Sequence, residues 1–185
     1  MRRAFYAIGA LQILFILAIV AAGQWTLHRG QVMQLQVQPV DPRSLFLGNY
    51  LDLQYDIGSI HLAALESRPA ERPQPGDTVY VRLQPGRPYA RVAAVATTAP
   101  ARGKGEIWLR GVVEYWPGAW RDDAGQTKEP LPVHYDLERY YIPEARQAEL
   151  AELKPTDRLA VEVAITSQGW AVIRRVFVNG KALAY

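Results

Sequence analysis

Cysteine is missing altogether from the 185 residues. Disulfides, thiolate metal sites and cysteine nucleophiles are therefore excluded, while an oxidising compartment is allowed without being implied. Histidine is nearly as rare. None of His28, His61 and His134 is read as having a partner at a metal-ligand spacing such as i+2 or i+4. The alternating carboxylates of a calcium loop are wanting too, since Asp122 and Asp123 stand side by side, as in a solvated loop. A phosphate cradle needs strand, glycine-rich loop and helix in that order, whereas Gly48 and Gly58 bracket a strand. The residues call for no cofactor and no metal.

Long basic runs are also absent. The formal charge is +3, from 21 Lys and Arg against 18 Asp and Glu. Arg2 and Arg3 precede an apolar stretch; without them the count is 19 against 18, a balance of +1. Phosphate neutralisation needs a clustered basic footprint, so no nucleic-acid partner is expected.

What is present begins with Phe5 to Gly23, 19 residues without a charge. As a helix this run is about 28 Å long, close to the hydrocarbon thickness of a bilayer. A helix also satisfies its backbone polar groups internally, as lipid demands. Arg2 and Arg3 on one side, against Arg29 alone on the other, place the N-terminus in the cytoplasm by the positive-inside bias. Trp25 falls where an interfacial aromatic belongs. Val20-Ala21-Ala22 carries the small residues a signal peptidase reads, which makes a cleaved signal the rival reading; Arg2-Arg3 is a short match to a twin-arginine signal. The length of the run favours a retained signal-anchor. The expectation is an anchor at residues 1–24 and a single domain at 25–185, enough chain for one core.

From Gln31 onward the dominant period is two, the mark of half-buried strands. Met33, Leu35 and Val37 alternate with glutamines. Leu51, Leu53, Tyr55 and Ile57 alternate with Tyr50, Asp52, Gln54 and Asp56, which predicts one amphipathic strand. Ser59 is placed to cap a short helix through Leu65, and the proline-bearing stretch Ser67 to Asp77 reads as a loop. Val79, Val81 and Leu83 lead to Pro85-Gly86, a type II turn signal, with a return strand from Tyr89 to Thr97. Ile107 to Tyr115 reads as a long strand in which Gly111 marks a bulge or a close approach.

Asp123-Ala124-Gly125 signals a turn inside a polar connection, and Val133 to Asp136 and Arg139 to Ile142 look extended. Pro143 suits the first turn of a helix running to Leu153. Leu159 to Ile165 and Trp170 to Val178 form a hairpin around Ser167-Gln168-Gly169, and Asn179-Gly180 makes a last tight turn. Eight or nine strands with one or two short helices predict a mainly β fold, an antiparallel sandwich or partly open barrel.

Catalytic constellations do not converge. A serine–lysine dyad would need Ser44 beside a buried lysine, whereas Lys104, Lys128, Lys154 and Lys181 all fall in loops or at helix ends. The tryptophans at 108, 116, 120 and 170 offer a binding platform, although at strand positions such residues more often pack the sheet.

The stretch Gly48-Asn49-Tyr50-Leu51-Asp52-Leu53-Gln54-Tyr55 resembles the signature of the GDYxxLxY family of bacterial membrane-anchored proteins, with Asn49 where the family has an acidic residue. Asp41-Pro42-Arg43-Ser44-Leu45 is similar to that family's lead-in, as Tyr140-Tyr141-Ile142-Pro143-Glu144 is to its second half. The resemblance implies a protein of the bacterial inner membrane with a periplasmic domain, often accompanied by a multi-spanning membrane protein. Read from the residues, Gly48, Leu53, Tyr55 and Pro143 are structural. Arg43, Asn49, Tyr50, Asp52 and Gln54 make the candidate contact surface, with Arg43 reaching toward Asp52 or Asp56. The expected function is a non-enzymatic accessory module partnering an integral membrane protein. An envelope hydrolase or peptidase using a hydroxyl, a small-ligand binder with a barrel interior, and a purely folding role for the motif stand as alternatives.

Overall fold

The computed structural model describes residues 2–38, 46–47, 50–101, 103, 105–115, 120–121, 127–128, 130–142 and 156–183. The chain opens with α1 (Arg2–Arg29), which continues past Gly23. Its stretch Tyr6–Arg29 is long and apolar enough to cross a membrane, and Leu14, Phe15 and Leu17 stand bare on its surface. Near its end the Thr26 hydroxyl donates to the Ala22 carbonyl at 3.0 Å, and Arg29 suits the negative pole of the helix.

The rest is mainly β. The strands are β1 (Gln31–Gln36), β2 (Phe46–Leu47), β3 (Tyr50–Asp52), β4 (Ser59–His61), β5 (Thr78–Gln84), β6 (Arg91–Ala96) and β7 (Ile107–Val113). Then come β8 (Trp120–Arg121), β9 (Thr127–Lys128), β10 (Pro130–His134), β11 (Arg139–Tyr141), β12 (Leu159–Ile165), β13 (Ala171–Val178) and β14 (Lys181–Ala182). All strand-to-strand pairings among the described strands are antiparallel, in the orders β1-β12-β13-β14, β4-β10-β7-β5-β6, β11-β3-β2 and β8-β9.

Single backbone hydrogen bonds join these sheets into a nearly closed barrel. The Ala90 N–H donates to Gln34 at 2.8 Å, the Gln38 N–H to Gln54 at 2.6 Å, and the Arg110 N–H to Gly169 at 2.9 Å. The alternating residues fill the interior: Leu35, Leu51, Leu53, Val79, Leu109 and Val161 are fully buried. Among the described residues no charged side chain is buried with them, and the polar groups in this core are the hydrogen-bonded hydroxyls of Tyr55 and Tyr135. Such a core gains about 25 cal/mol for each Å² of apolar surface removed from water.

Several local expectations need correction. The alternation Leu51, Leu53, Tyr55, Ile57 is buried as predicted, but the strand stops at Asp52. The Leu53 N–H still goes to Glu138, next to β11; beyond it the backbone changes neighbour, with Gln54 accepting from the Gln38 N–H and Tyr55 bridging to Val37. A 3₁₀ turn, Asp56–Gly58, follows. Ser59 caps nothing, because β10 claims its backbone in the pair Pro132↔Ser59; only a 3₁₀ turn, Leu62–Ala64, forms after it.

Gly86 lacks the positive φ of a type II turn; a Cβ there would run into the Tyr89 carbonyl oxygen. β7 ends at Val113, and Tyr115 is exposed. Gly111 does mark a close approach, since a Cβ on it would overlap Val133 and come 3.0 Å from the His134 carbonyl oxygen. The helix expected from Pro143 and the turn at Asp123 lie outside the described residues. Strands β8 and β9, which flank residues 122–126 in sequence, pair antiparallel.

Candidate functional site

Period-two alternation sorts the motif strand into two faces. Leu51 and Leu53 go to the core, leaving Tyr50 on the outer face, 48% exposed. The register of β3 against β11 then sets Tyr50 opposite Tyr141, Leu51 opposite Tyr140, and Asp52 opposite Arg139. Tyr141 is 55% exposed, and the two phenol rings meet edge to face, 5.7 Å between centroids at 72°. Such pairs are worth about 0.5–1.5 kcal/mol beyond area burial. Two residues along each strand Asp52 stands opposite Arg139, so the outer face carries paired phenols beside cross-strand residues of opposite charge.

Beside this face a groove of about 380 Å³ runs past Asp52, Gln54, Glu114, His134 and Arg139. Two buried tyrosines brace its floor reciprocally. The Tyr55 hydroxyl donates to the Leu137 carbonyl at 2.8 Å, and the Tyr135 hydroxyl donates to the Ile57 carbonyl at 2.7 Å. Burial pushes both phenols well above the ordinary tyrosine range, and the Glu138 charge adds to it. Both stay neutral donors.

Glu138 ties the turn after β10. Its carboxylate accepts from the Tyr135 N–H at 2.7 Å and the Leu137 N–H at 2.8 Å, holding Asp136 at φ 59°. The same carboxylate lies 3.2 Å from His134 Nδ1; Asp136 lies 3.3 Å from Nε2 and Glu114 3.6 Å from Nδ1. Asp136 and Glu138 are thus partners of His134 at i+2 and i+4, which the sequence reading passed over. Among the described residues no group of three or more His, Asp or Glu is arranged to hold a metal ion. Outside this groove, in a separate cleft, burial raises the Asp56 carboxyl above its usual range, partly offset by a hydrogen bond from Gln38.

Of the residues picked out from sequence, Tyr50, Asp52 and Gln54 lie together on the outer face and groove rim, and Leu53 and Tyr55 are buried beneath them. Arg43, Gly48, Asn49 and Pro143 lie outside the described residues, as does Ser44. Arg139, Tyr141, Tyr135 and Glu138 escaped the sequence reading as site residues. Tyr141 stood in a recognised segment, but only the register across β3 and β11 brings it to Tyr50. Chemically, the outer face offers apolar ring edges, phenol hydroxyls and both signs of charge, while the Glu138 carboxylate is engaged by backbone amides.

No curated protein and no solved structure matches the chain. A family model described as GDYXXLXY protein matches residues 12–176. That span takes in most of α1, the motif strand and the barrel as far as β13, and the chain belongs to the GDYXXLXY protein family.

Proposed function

We propose that this protein is a membrane-tethered, non-enzymatic interaction module whose outer β3–β11 face docks an integral membrane protein. In this reading residues 1–24 anchor the chain in a bacterial inner membrane with a cytoplasmic N-terminus, and residues 25–185 form a periplasmic domain. The observation that carries it is the exposed Tyr50–Tyr141 pair, set on paired strands beside Asp52 and Arg139. Exposed tyrosines on a rigid backbone are characteristic docking residues, because they present large amphipathic surface at small entropic cost. The neighbouring carboxylate and phenols of the floor are occupied in bracing the fold, which supports binding over chemistry. The packed interior favours a surface over a barrel cavity as the place of contact.

A photo-crosslinking residue at Tyr50 of the full-length chain, in its native membrane, tests this. The expected result is reproducible capture of one integral membrane protein, identified by mass spectrometry and lost with Asp52→Ala. Tyr50→Ala should leave the melting temperature within a few degrees, because the pair it breaks is on the surface. Capture no better than from the exposed control Glu71, or a collapse in stability with Tyr50→Ala, would return the motif to a folding role.

A further inference from the structure

The β12–β13 turn lies beside the end of α1. Thr166, Ser167, Gln168 and Trp170 line one side of a cleft of about 530 Å³, and Ala22, Thr26 and Arg29 are among the helix residues lining the other. A hydrocarbon core about 30 Å thick takes about 20 helical residues. Counted from Phe5, where the uncharged apolar run begins, that length ends near Gln24. Whatever stands beside Ala22 to Arg29 is then level with the lipid headgroups.

The side chains at that level suit headgroups. Trp25 is 65% exposed and Trp170 51% exposed. Each has an arginine over its ring, Arg29 at 5.2 Å from the Trp25 centroid and Arg110 at 4.3 Å from that of Trp170. Tryptophan prefers the membrane boundary, where its ring meets acyl chains and its N–H meets polar groups. A guanidinium stacked on it keeps edge donors free for lipid phosphate.

The tip is also held rigidly. The Arg110 N–H donates to Gly169 at 2.9 Å, the Thr166 N–H donates to Trp170 at 2.7 Å, and the Thr166 hydroxyl accepts from the Trp170 N–H at 3.1 Å. Gly169 supplies the positive φ, 88°, that the turn requires.

We infer that this tip, with Trp170 stacked on Arg110, is a lipid-contacting foot seated in the headgroup layer, holding the barrel in one orientation on the membrane. The inference rests on α1 spanning the bilayer and is independent of any protein partner at Tyr50.

The cysteine-free chain permits a direct test, because a single introduced cysteine is the only thiol. Full-length protein carrying Gln168→Cys, Lys181→Cys or Leu14→Cys is labelled with a nitroxide and reconstituted in phosphatidylcholine–phosphatidylglycerol vesicles. Collision rates with oxygen, which partitions into lipid, and with a water-soluble nickel chelate are then compared. Gln168 and Lys181 are both exposed but stand at opposite ends of β13, about 23 Å apart.

Severalfold weaker nickel collision at Gln168 than at Lys181, with Leu14 shielded from nickel and open to oxygen, is the expected result. Equal nickel access at Gln168 and Lys181, with Leu14 still shielded, would overturn the foot alone. Nickel access at Leu14 would overturn the spanning reading of α1 and the foot with it.

Discussion

Tyr55 and Tyr135 each connect the motif segment to the turn after β10 by a buried hydrogen bond. Phenylalanine keeps the ring and leaves a buried carbonyl unpartnered. Tyr55→Phe and Tyr135→Phe should each cost about 1–3 kcal/mol, measured by urea unfolding. Their titration adds a pH dependence of definite sign. Both phenols have folded pKa values raised above the ordinary value near 10, because burial disfavours the anion. The stabilisation is complete below pH 10, where both states are protonated. Above it the unfolded chain ionises first and the folded state binds more protons, so stability falls as pH rises, by about 1.4 kcal/mol per pH unit for each tyrosine. Alkaline unfolding should therefore begin above pH 10, with a shallower slope in either phenylalanine variant. An unchanged slope would mean that neither phenol is shielded in the folded protein.

At the scale of elements, the close pairing of β7 and β10 depends on Gly111. Alanine there would push into Val133 and the backbone of His134, so Gly111→Ala should destabilise by about 1–3 kcal/mol in denaturant titration. A neutral result would show that the two strands separate without cost. Gly111 also shows what sequence makes legible, since a glycine inside an alternating strand announces a close neighbour without naming it. β1, β5 and β12 were readable because each buries Val, Leu, Ile or Met at alternate positions. The Asn179-Gly180 turn was readable because positive φ at both positions, 51° and 81°, selects those residues.

Unreadable were the features set by distant chain. β10 begins at Pro130, before the expected Val133, because β4 pairs with it. The motif strand ends because, after one more bond to Glu138 beside β11, its backbone passes to Gln38 and Val37 beyond β1. The candidate surface was half legible for the same reason: alternation turned Tyr50 and Asp52 outward, while Tyr141 and Arg139 joined them through a register that no local pattern encodes.

Taken whole, the molecule carries its apolar surface in two places, a bare helix and a packed interior. Among the described residues α1 contributes none to the buried core, and its leucines and isoleucines from Ile8 to Ile19 face outward. The barrel buries its own interior and meets α1 near the helix end, where a Cβ on Gly30 would come 2.9 Å from that of Ala164 in β12 and the β12–β13 turn stands alongside. If lipid is the solvent for α1, stability and membrane attachment are separable. A chain beginning at Gly30 should stay in the supernatant after ultracentrifugation and unfold cooperatively. Its melting temperature should lie within about 4 °C of the full-length protein's, corresponding to about 1 kcal/mol at this size. The full-length chain should stay with the membrane through high salt and alkaline carbonate and leave only with detergent. Salt release would mean attachment by charge, which a bilayer-spanning helix does not use. Aggregation or loss of cooperativity in the chain from Gly30 would mean that α1 covers barrel surface, and the helix would then be a packing element of the domain.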